Sequence, residues 1–494
     1  MRHPAFFVTI KFVAKLSREE LLREFEPIFY PKSIAVVGIS QNVFKVGSVW
    51  LKALVNAGFQ GAIYPIHPRG GEFSGLKVYT SIRDVPGIVD YVIVCIPREA
   101  VPQLMDDCAR KVRAIHFFTA GFSEAGDKTG RLLEEELVGK AKQGGFRIIG
   151  PNCLGVYSPE VRVPYGPAGR IGEIGSVGFI SQSGGIGEKL FELGVARNIK
   201  YNKGISFGNG IDLDSPDYME YMGADPRISV IGTYLEGTRN GQRLFSTMKS
   251  VANLKPLIVW KAGRTKVGAA AAASHTGSLA SSAAVWSAAM GQSGVIEVQD
   301  VEELTDTMLI FQQLGQLEVR GNGIAIVGGL ADGGGGISVS ASDSCAELGL
   351  NIPELFLTTR RKLTNVLGSV GSILRNPVDL SQSGSNHLKI KEATGYVLQD
   401  SSVDLVIVQI DAGILLKYLP WELVQSIFNV FIELVTEQGK PIVIVSPPGA
   451  FETQRLEMEQ RLSKASIPIF PTMRRAAKAI VNLNRYSRFR RGDA

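Results

Sequence analysis

The chain has few cysteines and few histidines for its length. Its 494 residues include four cysteines and five histidines. The cysteines are widely spaced and form no CxxC pair, so neither a disulfide framework nor a zinc site is indicated. We therefore expect a protein of the reducing cytoplasm that holds no metal ion with its own side chains.

Long apolar runs are missing as well. No segment approaches the roughly 20 apolar residues that a membrane-spanning helix needs. The N-terminal stretch FFVTIKFV at residues 6–13 is short, is interrupted by Lys11 and lacks a small-residue cleavage site. We interpret residues 1–25 as an N-terminal extension rather than a signal peptide, and we predict no association with a membrane.

The charges of the chain are not gathered into one region. The 53 lysines and arginines are interspersed with 47 acids, which leaves a net charge of +6. A nucleic-acid-binding protein carries a basic stripe, so this pattern predicts no nucleic-acid partner. The short basic tail at residues 485–491 is typical of a solvated surface.

Two common nucleotide-binding motifs are absent from the first glycine turn. Residues 38–47 read GISQNVFKVG, which contains neither GxGxxG nor GxxxxGK[ST]. This absence argues against a nicotinamide-dependent oxidoreductase built on the first sheet. The glycine turn, Ser40 and Lys45 at a helix start nevertheless suit an anion, although a plain connection with a surface lysine would look the same.

What the sequence does contain is three successive series of alternating strands and helices. They open with SIAVVG at residues 33–38, SVGFI at 176–180 and GIAIVGG at 323–329. Short β-branched runs that end near glycine are typical of buried parallel strands. We predict an α/β protein with a Rossmann-like domain and two flavodoxin-like domains. The predicted domain limits are residues 26–160, 161–318 and 319–494.

Two further glycine-rich turns lie between a strand and a helix. The turn at residues 181–187 reads SQSGGIG, and the turn at 328–336 reads GGLADGGGG. Backbone N–H groups at a helix start attract anions, so both turns are candidate phosphate seats. A purely structural connection remains the alternative for each. The residues predicted to bind phosphate are Ser183, Gly184, Gly185, Gly329, Gly333 and Gly334.

One histidine stands among very small residues. His275 lies in AAASHTGSLA at residues 271–280, where nothing bulky hinders the approach of a ligand. A neutral imidazole in such a segment can accept a phosphoryl group. Glu236 follows a predicted strand and can hold one nitrogen of such an imidazole. The alternatives are a closely packed alanine helix for His275 and an exposed acid at a strand end for Glu236.

With these residues in view, the chain resembles the α-subunit type of the nucleoside-diphosphate-forming acyl-CoA synthetases, relatives of succinyl-CoA synthetase. The resemblance runs from about Glu26 to the end and rests on the joint order of several motifs. These are PKSIAVVG at 31–38, TAGFSE at 119–124, GPNCLG at 150–155, SQSGG at 181–185, YLEG at 234–237, SHTGS at 274–278 and NPVDL at 376–380.

The resemblance implies roles for the residues that match these motifs. His275 matches the transiently phosphorylated histidine, Glu236 the residue that orients it, and residues 183–185 the phosphate-binding helix start. The turn at 328–336 matches a second such helix start, although it departs from the expected Asn-Ala-Gly-Gly-Pro-Gly form. The positions that match coenzyme A contacts are Gly38, Ser40, Lys45, Ile96, Pro97, Ala120, Gly121, Phe122, Asn152 and Cys153.

The resemblance also implies a reaction and a partner. The expected reaction interconverts acyl-CoA, nucleoside diphosphate and phosphate with carboxylic acid, nucleoside triphosphate and CoA. Family members need an ATP-grasp module, for which the sequence after the third domain leaves no room. We therefore expect a separate ATP-grasp subunit that binds ATP or GTP with Mg²⁺, in an α2β2 assembly. The alternative is a non-catalytic CoA-binding homologue, although such a protein would be expected to lose His275 or Glu236, and both are present.

Overall fold

The computed structural model describes residues 17–268, 283–315, 317, 321–331, 335–368, 373–383 and 385–492. Within these ranges the chain forms three sheets of five or six strands and one β-hairpin. No helix in the described ranges has both the length and the apolar character needed to cross a membrane. His275, Gly333 and Gly334 lie outside the described residues.

The first sheet is entirely parallel and has the strand order β2-β1-β5-β6-β7. Its strands are β1 (Ser33–Val37), β2 (Ala62–Ile66), β5 (Val89–Val94), β6 (Val112–Phe117) and β7 (Arg147–Ile149), and the hairpin is β3 (Gly71–Phe73) with β4 (Leu76–Val78). Its helices are α1 (Arg18–Phe29), α2 (Val46–Ala57), α3 (Val101–Cys108) and α4 (Lys128–Gly144), with short 3-10 turns at Ile82–Asp84, Arg98–Ala100 and Ser123–Ala125.

The second sheet has the order β13-β12-β11-β9-β10-β8, and only its edge strand β8 is antiparallel. Its strands are β8 (Gly155–Tyr157), β9 (Val177–Ser181), β10 (Tyr201–Ser206), β11 (Val230–Leu235), β12 (Leu257–Lys261) and β13 (Ile296–Val298). Its helices are α5 (Gly184–Ala196), α6 (Ser215–Ala224), α7 (Gly241–Ala252), α8 (Ala283–Ser293) and α9 (Val301–Leu314).

The third sheet is again parallel, in the order β15-β14-β16-β17-β18. Its strands are β14 (Ile324–Leu330), β15 (Val378–Asp379), β16 (Leu405–Ile410), β17 (Ile442–Val445) and β18 (Ile469–Phe470). Its helices are α10 (Gly335–Glu347), α11 (Leu357–Leu367), α12 (His387–Gln399), α13 (Ala412–Tyr418), α14 (Trp421–Gln438), α15 (Glu452–Lys464) and α16 (Met473–Arg491), with a 3-10 turn at Ser381–Ser383.

The predicted α/β fold class is confirmed. Counted along each unit, the five parallel strands of every sheet follow the order 2-1-3-4-5 of flavodoxin-like folds. In such sheets ligands bind at the carboxyl ends of the strands, near the point where the order reverses. The domain limits remain predictions, and β8 at Gly155–Tyr157 already pairs with the second sheet.

The first sheet passes directly into the second through a short length of backbone. Asn209 N donates to Pro151 O at 3.0 Å, and Ile211 N donates to Gly150 O at 3.1 Å. These bonds attach the loop after β10 to the loop after β7. The two carboxyl edges therefore meet along one seam, which runs beside Asn152 and Cys153.

The second and third sheets share a packed ion cluster. Asp306 on α9 is almost fully buried and accepts hydrogen bonds from Arg197, at the end of α5, and from Arg475 on α16. Arg197 also donates to Ile469 O on β18 at 2.7 Å. A buried carboxylate is stable only when paired in this way, so the cluster fixes the far end of α5 against the third sheet.

Strand β10 has no strand-like sequence pattern, because it carries a buried lysine. Lys203 is fully buried and forms an ion pair with the fully buried Asp225. The pKa of Lys203 is lowered to about 8, because the effect of burial outweighs the opposing effect of the Asp225 carboxylate. Burial alone would raise the pKa of Asp225, but hydrogen bonds from Arg227 and Lys203 bring it down to about 2. The charged pair is retained because each ion has a partner in place of water.

The replacement Lys203→Met tests how much this pair stabilises the fold. It leaves Asp225 buried with only Arg227 as a partner, and we expect a loss of about 3 kcal/mol. The matched control is Lys200→Met, because Lys200 pairs with Glu173 at an exposed site where the loss should stay below about 1 kcal/mol. Urea denaturation checks both, and equal midpoints for the two variants would contradict the prediction.

Candidate functional site

A cavity of about 1130 Å³ opens where the first and second sheets meet. It is lined by the loops that follow β6, β7, β9, β10 and β11, all at carboxyl ends of strands, and by residues of α4 and α5. The lining includes three predicted coenzyme A contacts, Ala120, Asn152 and Cys153. It also includes the predicted phosphate-binding residues Ser183, Gly184 and Gly185, and the predicted histidine-orienting residue Glu236. Positions predicted separately for coenzyme A and for phosphate thus face one space.

The start of α5 forms one wall of the cavity. Ser183 caps the helix, and its hydroxyl accepts a hydrogen bond from Ile186 N at 3.4 Å. A side chain at Gly184 would lie 3.2 Å from Leu154, whereas one at Gly185 would meet no atom within 4 Å. The helix N-terminus is partially positive, so this open end offers backbone N–H groups to an anion.

Hydrogen bonds from the backbone of Glu236 hold this residue beside the helix start. Gln182 Oε1 accepts hydrogen bonds from Glu236 N at 2.8 Å and from Gly237 N at 3.0 Å. The carboxylate accepts a bond from the Tyr234 hydroxyl at 3.1 Å, and Lys261 donates to Glu236 O. The predicted phosphate seat and the predicted histidine-orienting residue therefore lie together, while His275 itself is outside the described residues.

The loop after β1 carries the other predicted coenzyme A contacts. Ser40 exchanges two hydrogen bonds with Ser48, of 2.8 and 2.7 Å, so the loop is tied to α2. Lys45 is exposed at the start of α2 and makes no side-chain cap there. Gly38 has a φ of +96°, and a Cβ there would lie 2.4 Å from Cys95 O. Close strand packing therefore explains Gly38, whereas Lys45 is available to an anionic ligand.

Seven of the ten residues predicted to contact coenzyme A are not part of the cavity lining. Two of them are Gly121 and Phe122, whose N–H groups donate hydrogen bonds to the Glu124 carboxylate at 2.6 and 3.2 Å. The other five residues lie on the side of β1 and β5, and they are Gly38, Ser40, Lys45, Ile96 and Pro97. They lie at the carboxyl ends of the neighbouring strands of the same sheet.

Cys153 is a wall residue rather than a nucleophile. Its side chain is buried, and Sγ lies 3.7 Å from Phe117 O, to which it donates. Burial raises the pKa of this thiol well above its usual range. The reactive form of a cysteine is the thiolate, so Cys153 stays protonated and shapes the seam.

Gly329 in the third unit does not line the cavity. It has a φ of +81°, and a Cβ there would lie 2.1 Å from Asp379 Oδ1. The close approach of Asp379 therefore accounts for glycine at this position. The phosphate-binding role of Gly329, Gly333 and Gly334 remains a prediction.

Sequence reasoning missed several polar residues of the cavity, chiefly Gln182, Asn209, Glu134 and Arg239. Gln182 lies inside a recognised motif and was the easiest to find. Asn209 follows β10, the strand that sequence analysis did not detect, so its position at a carboxyl edge was hidden. Within the described residues, no group of three or more His, Cys, Asp or Glu is placed to hold a metal ion.

Two segments of the chain match known domain families. Residues 32–159 match a family described as a CoA binding domain. Residues 174–311 match a family described as a succinyl-CoA ligase like flavodoxin domain. The cavity lies between these two matched segments and takes residues from both.

Similarity to individual proteins extends over nearly the whole chain. The alpha subunit of ADP-forming acetate–CoA ligase I from Pyrococcus furiosus is 34% identical, with 94% of this chain and 98% of the relative covered. ADP-forming acetate–CoA ligase I from Archaeoglobus fulgidus is also 34% identical, but the match covers only 64% of that longer protein.

A solved structure agrees. It is described as a dinucleotide forming acetyl-coenzyme A synthetase 1 of Ca. Korarchaeum cryptofilum in complex with phosphate and ADP. It is 32% identical, has a TM-score of 0.83, and the match covers 95% of this chain and 98% of that one.

Fold and site together define a ligase of the succinyl-CoA synthetase type. The chain belongs to the family of ADP-forming acetate–CoA ligases and matches their alpha subunits. The resemblance predicted from the motifs is confirmed.

Gly208, in the loop that carries Asn209, offers a test of the seam. Its φ is +53°, and a Cβ there would lie 2.1 Å from Pro151 O. We expect Gly208→Ala to lower the thermal unfolding midpoint by about 5 °C or more, since both strain and overlap result. Gly185→Ala is the control, because its methyl meets open space and should leave the midpoint within about 1 °C. Calorimetry decides, and a stable Gly208→Ala variant would show that the seam can yield.

Proposed function

We propose that this chain is the alpha-type subunit of a nucleoside-diphosphate-forming acyl-CoA synthetase. It interconverts acyl-CoA, nucleoside diphosphate and phosphate with carboxylic acid, nucleoside triphosphate and CoA. The observation that carries the proposal is the single cavity that joins the coenzyme A wall at Asn152 and Cys153 to the open start of α5 and to Glu236. Family membership over 94% of the chain supports the same conclusion.

The first step takes place on the thioester. A phosphate oxygen forms a bond to the acyl carbon, the carbon–sulfur bond breaks, and the departing thiolate takes up a proton to give free CoA. The N–H groups at Gly184 and Gly185 hold the phosphate without a cationic side chain. Cys153 stays protonated, which supports direct transfer to phosphate instead of an acyl-cysteine.

The second and third steps pass the phosphoryl group through His275. An imidazole nitrogen forms a bond to phosphorus while the bond from phosphorus to the acyl oxygen breaks, and the carboxylate leaves. Glu236 holds the other ring nitrogen and stabilises the charge that develops on the ring. The nucleoside diphosphate then takes the phosphoryl group as the phosphorus–nitrogen bond breaks.

The nucleotide step requires a partner. The alpha-subunit naming of the Pyrococcus relative supports a separate partner subunit. We propose that the partner is an ATP-grasp subunit in an α2β2 assembly, and that it binds the nucleotide with Mg²⁺. The glycines Gly329, Gly333 and Gly334 are the proposed second binding site for the phosphohistidine. A cytoplasmic location belongs to the same proposal.

Labelled nucleotide tests the function directly. The complex with the partner subunit and Mg²⁺ should take acid-labile label from γ-labelled ATP or GTP on this chain. His275→Ala should take none, while Glu236→Gln should accept phosphoryl from the acyl phosphate side about a hundredfold more slowly. His387→Ala is the matched histidine control and should label normally. Label that persists in His275→Ala would refute the assignment, and an unlabelled wild type would favour the non-catalytic CoA-binding alternative.

Coenzyme A binding has its own test at Lys45. Its ammonium is exposed at the start of α2 and can pair with a phosphate of the ligand. We expect Lys45→Met to weaken CoA binding about tenfold at low salt and less at high salt, because exposed charges are screened. Lys52→Met, seven residues later on α2, is the control. Calorimetric titration with CoA measures both, and equal affinities would place the ligand away from this loop.

A further inference from the structure

We propose that Glu134 and Asn209 are positioning residues that fix the Glu236 loop relative to the loop at residues 120–122. The inference rests on the proposed function, which gives these loops to the histidine-orienting carboxylate and to coenzyme A. It follows from an unbroken series of hydrogen bonds that crosses the seam between the first two sheets.

The series begins at the loop at 120–122. Glu124 accepts hydrogen bonds from Gly121 N at 2.6 Å and from Phe122 N at 3.2 Å. Both oxygens of this carboxylate are thereby used to hold backbone of the predicted coenzyme A contacts. A shift of that backbone on ligand binding would be felt at the carboxylate.

Asn209 provides the link across the seam. Its Nδ2 group lies 2.5 Å from Glu124 Oε2 and 2.8 Å from Glu134 Oε1. A side-chain amide has two N–H donors, so both are engaged by carboxylates of the first unit. The main chain of Asn209 is itself fixed, since its N–H donates to Pro151 O at 3.0 Å. Asn209 therefore sets the relative position of the two carboxylates.

Glu134 is a buried acid on α4 that faces the second unit. Only about 8% of its side chain is exposed, and it accepts a hydrogen bond from the Ser123 hydroxyl at 2.7 Å. Its ion-pair partner is Arg239, whose Nη2 lies 3.1 Å from Glu134 Oε2. A carboxylate this buried needs a paired cation. The ion pair therefore holds the Arg239 side chain against α4.

Arg239 stands three residues after Glu236, and the segment between them is held at both ends. Gln182 accepts from the N–H groups of Glu236 and Gly237. Asp214 accepts from Arg239 N at 3.3 Å. The side chain of Arg239 thus ties the far end of this short segment to the first unit. Loss of the Glu134 charge would leave that end held only by bonds within the second unit, to Asp214 and to Asn209 O, so Glu236 and the helix start of α5 could shift relative to the first unit.

The test separates the two half-reactions of the complex with its partner. We expect Glu134→Gln to slow the removal of phosphoryl from phosphorylated chain by acetate plus CoA about tenfold, because misplacement of a catalytic group costs rate. Labelling of the chain by γ-labelled nucleotide takes place on the partner's side and should stay within about twofold. Arg239→Gln should slow the same half-reaction to the same extent. The double variant with both substitutions should be no slower than the slower single variant. The control is Arg243→Gln, which removes a similarly exposed arginine paired with Asp217 and Glu220.

Each other result overturns the inference. Unchanged half-reactions in Glu134→Gln would show that the ion pair does not position Glu236. Equal losses in both half-reactions together with a lower thermal midpoint would reduce Glu134 to a structural residue. Additive losses in the double variant would show that Glu134 and Arg239 act separately. Failure of the wild-type chain to take label would instead refute the proposed function, and this inference with it.

Discussion

The whole site depends on the backbone contact between the loop after β7 and the loop after β10. Asn209 and Ile211 donate to Pro151 and Gly150, and Gly208 leaves no room for a side chain at the crossing. Two sheets that would otherwise present separate ligand edges are thereby brought to a common one. The cavity lies at this contact, between the helix start of α5 in the second unit and the loop that carries Asn152 and Cys153.

Much of this arrangement follows from local sequence. Strands β1, β9 and β14 are short runs with β-branched residues, and the structure has them within one residue of the predicted bounds. Strand β10 was missed because Asn202 and Lys203 are polar and yet buried. Lys203 can be there only because Asp225, 22 residues further on, supplies its charge partner. A pairing at that distance leaves no periodic signal in the sequence.

The candidate site likewise contains residues that local sequence predicts and residues that only the tertiary structure reveals. Ser183, Gly184, Gly185 and Glu236 follow strands, so a rule about carboxyl ends predicts them. Glu134 could not be chosen from sequence, because it is one of three consecutive glutamates on α4 and only its burial against Arg239 distinguishes it. Gly329 was predicted to bind phosphate, but the close approach of Asp379 is enough to explain a glycine at this position. Glycine in a turn thus records close contact, and the structure decides whether the contact is with a ligand or with the chain itself.

The ion cluster around Asp306 is accompanied by a continuous apolar core between the second and third sheets. Residues of β9, α9, β14 and α16 belong to one buried cluster, and Tyr486 near the end of α16 donates to Ala252 O at the end of α7. The last helix therefore covers apolar surface of both units. Within the described residues, these two sheets share one apolar core, so a fragment that ended before α16 would expose apolar surface of the second sheet as well as the third.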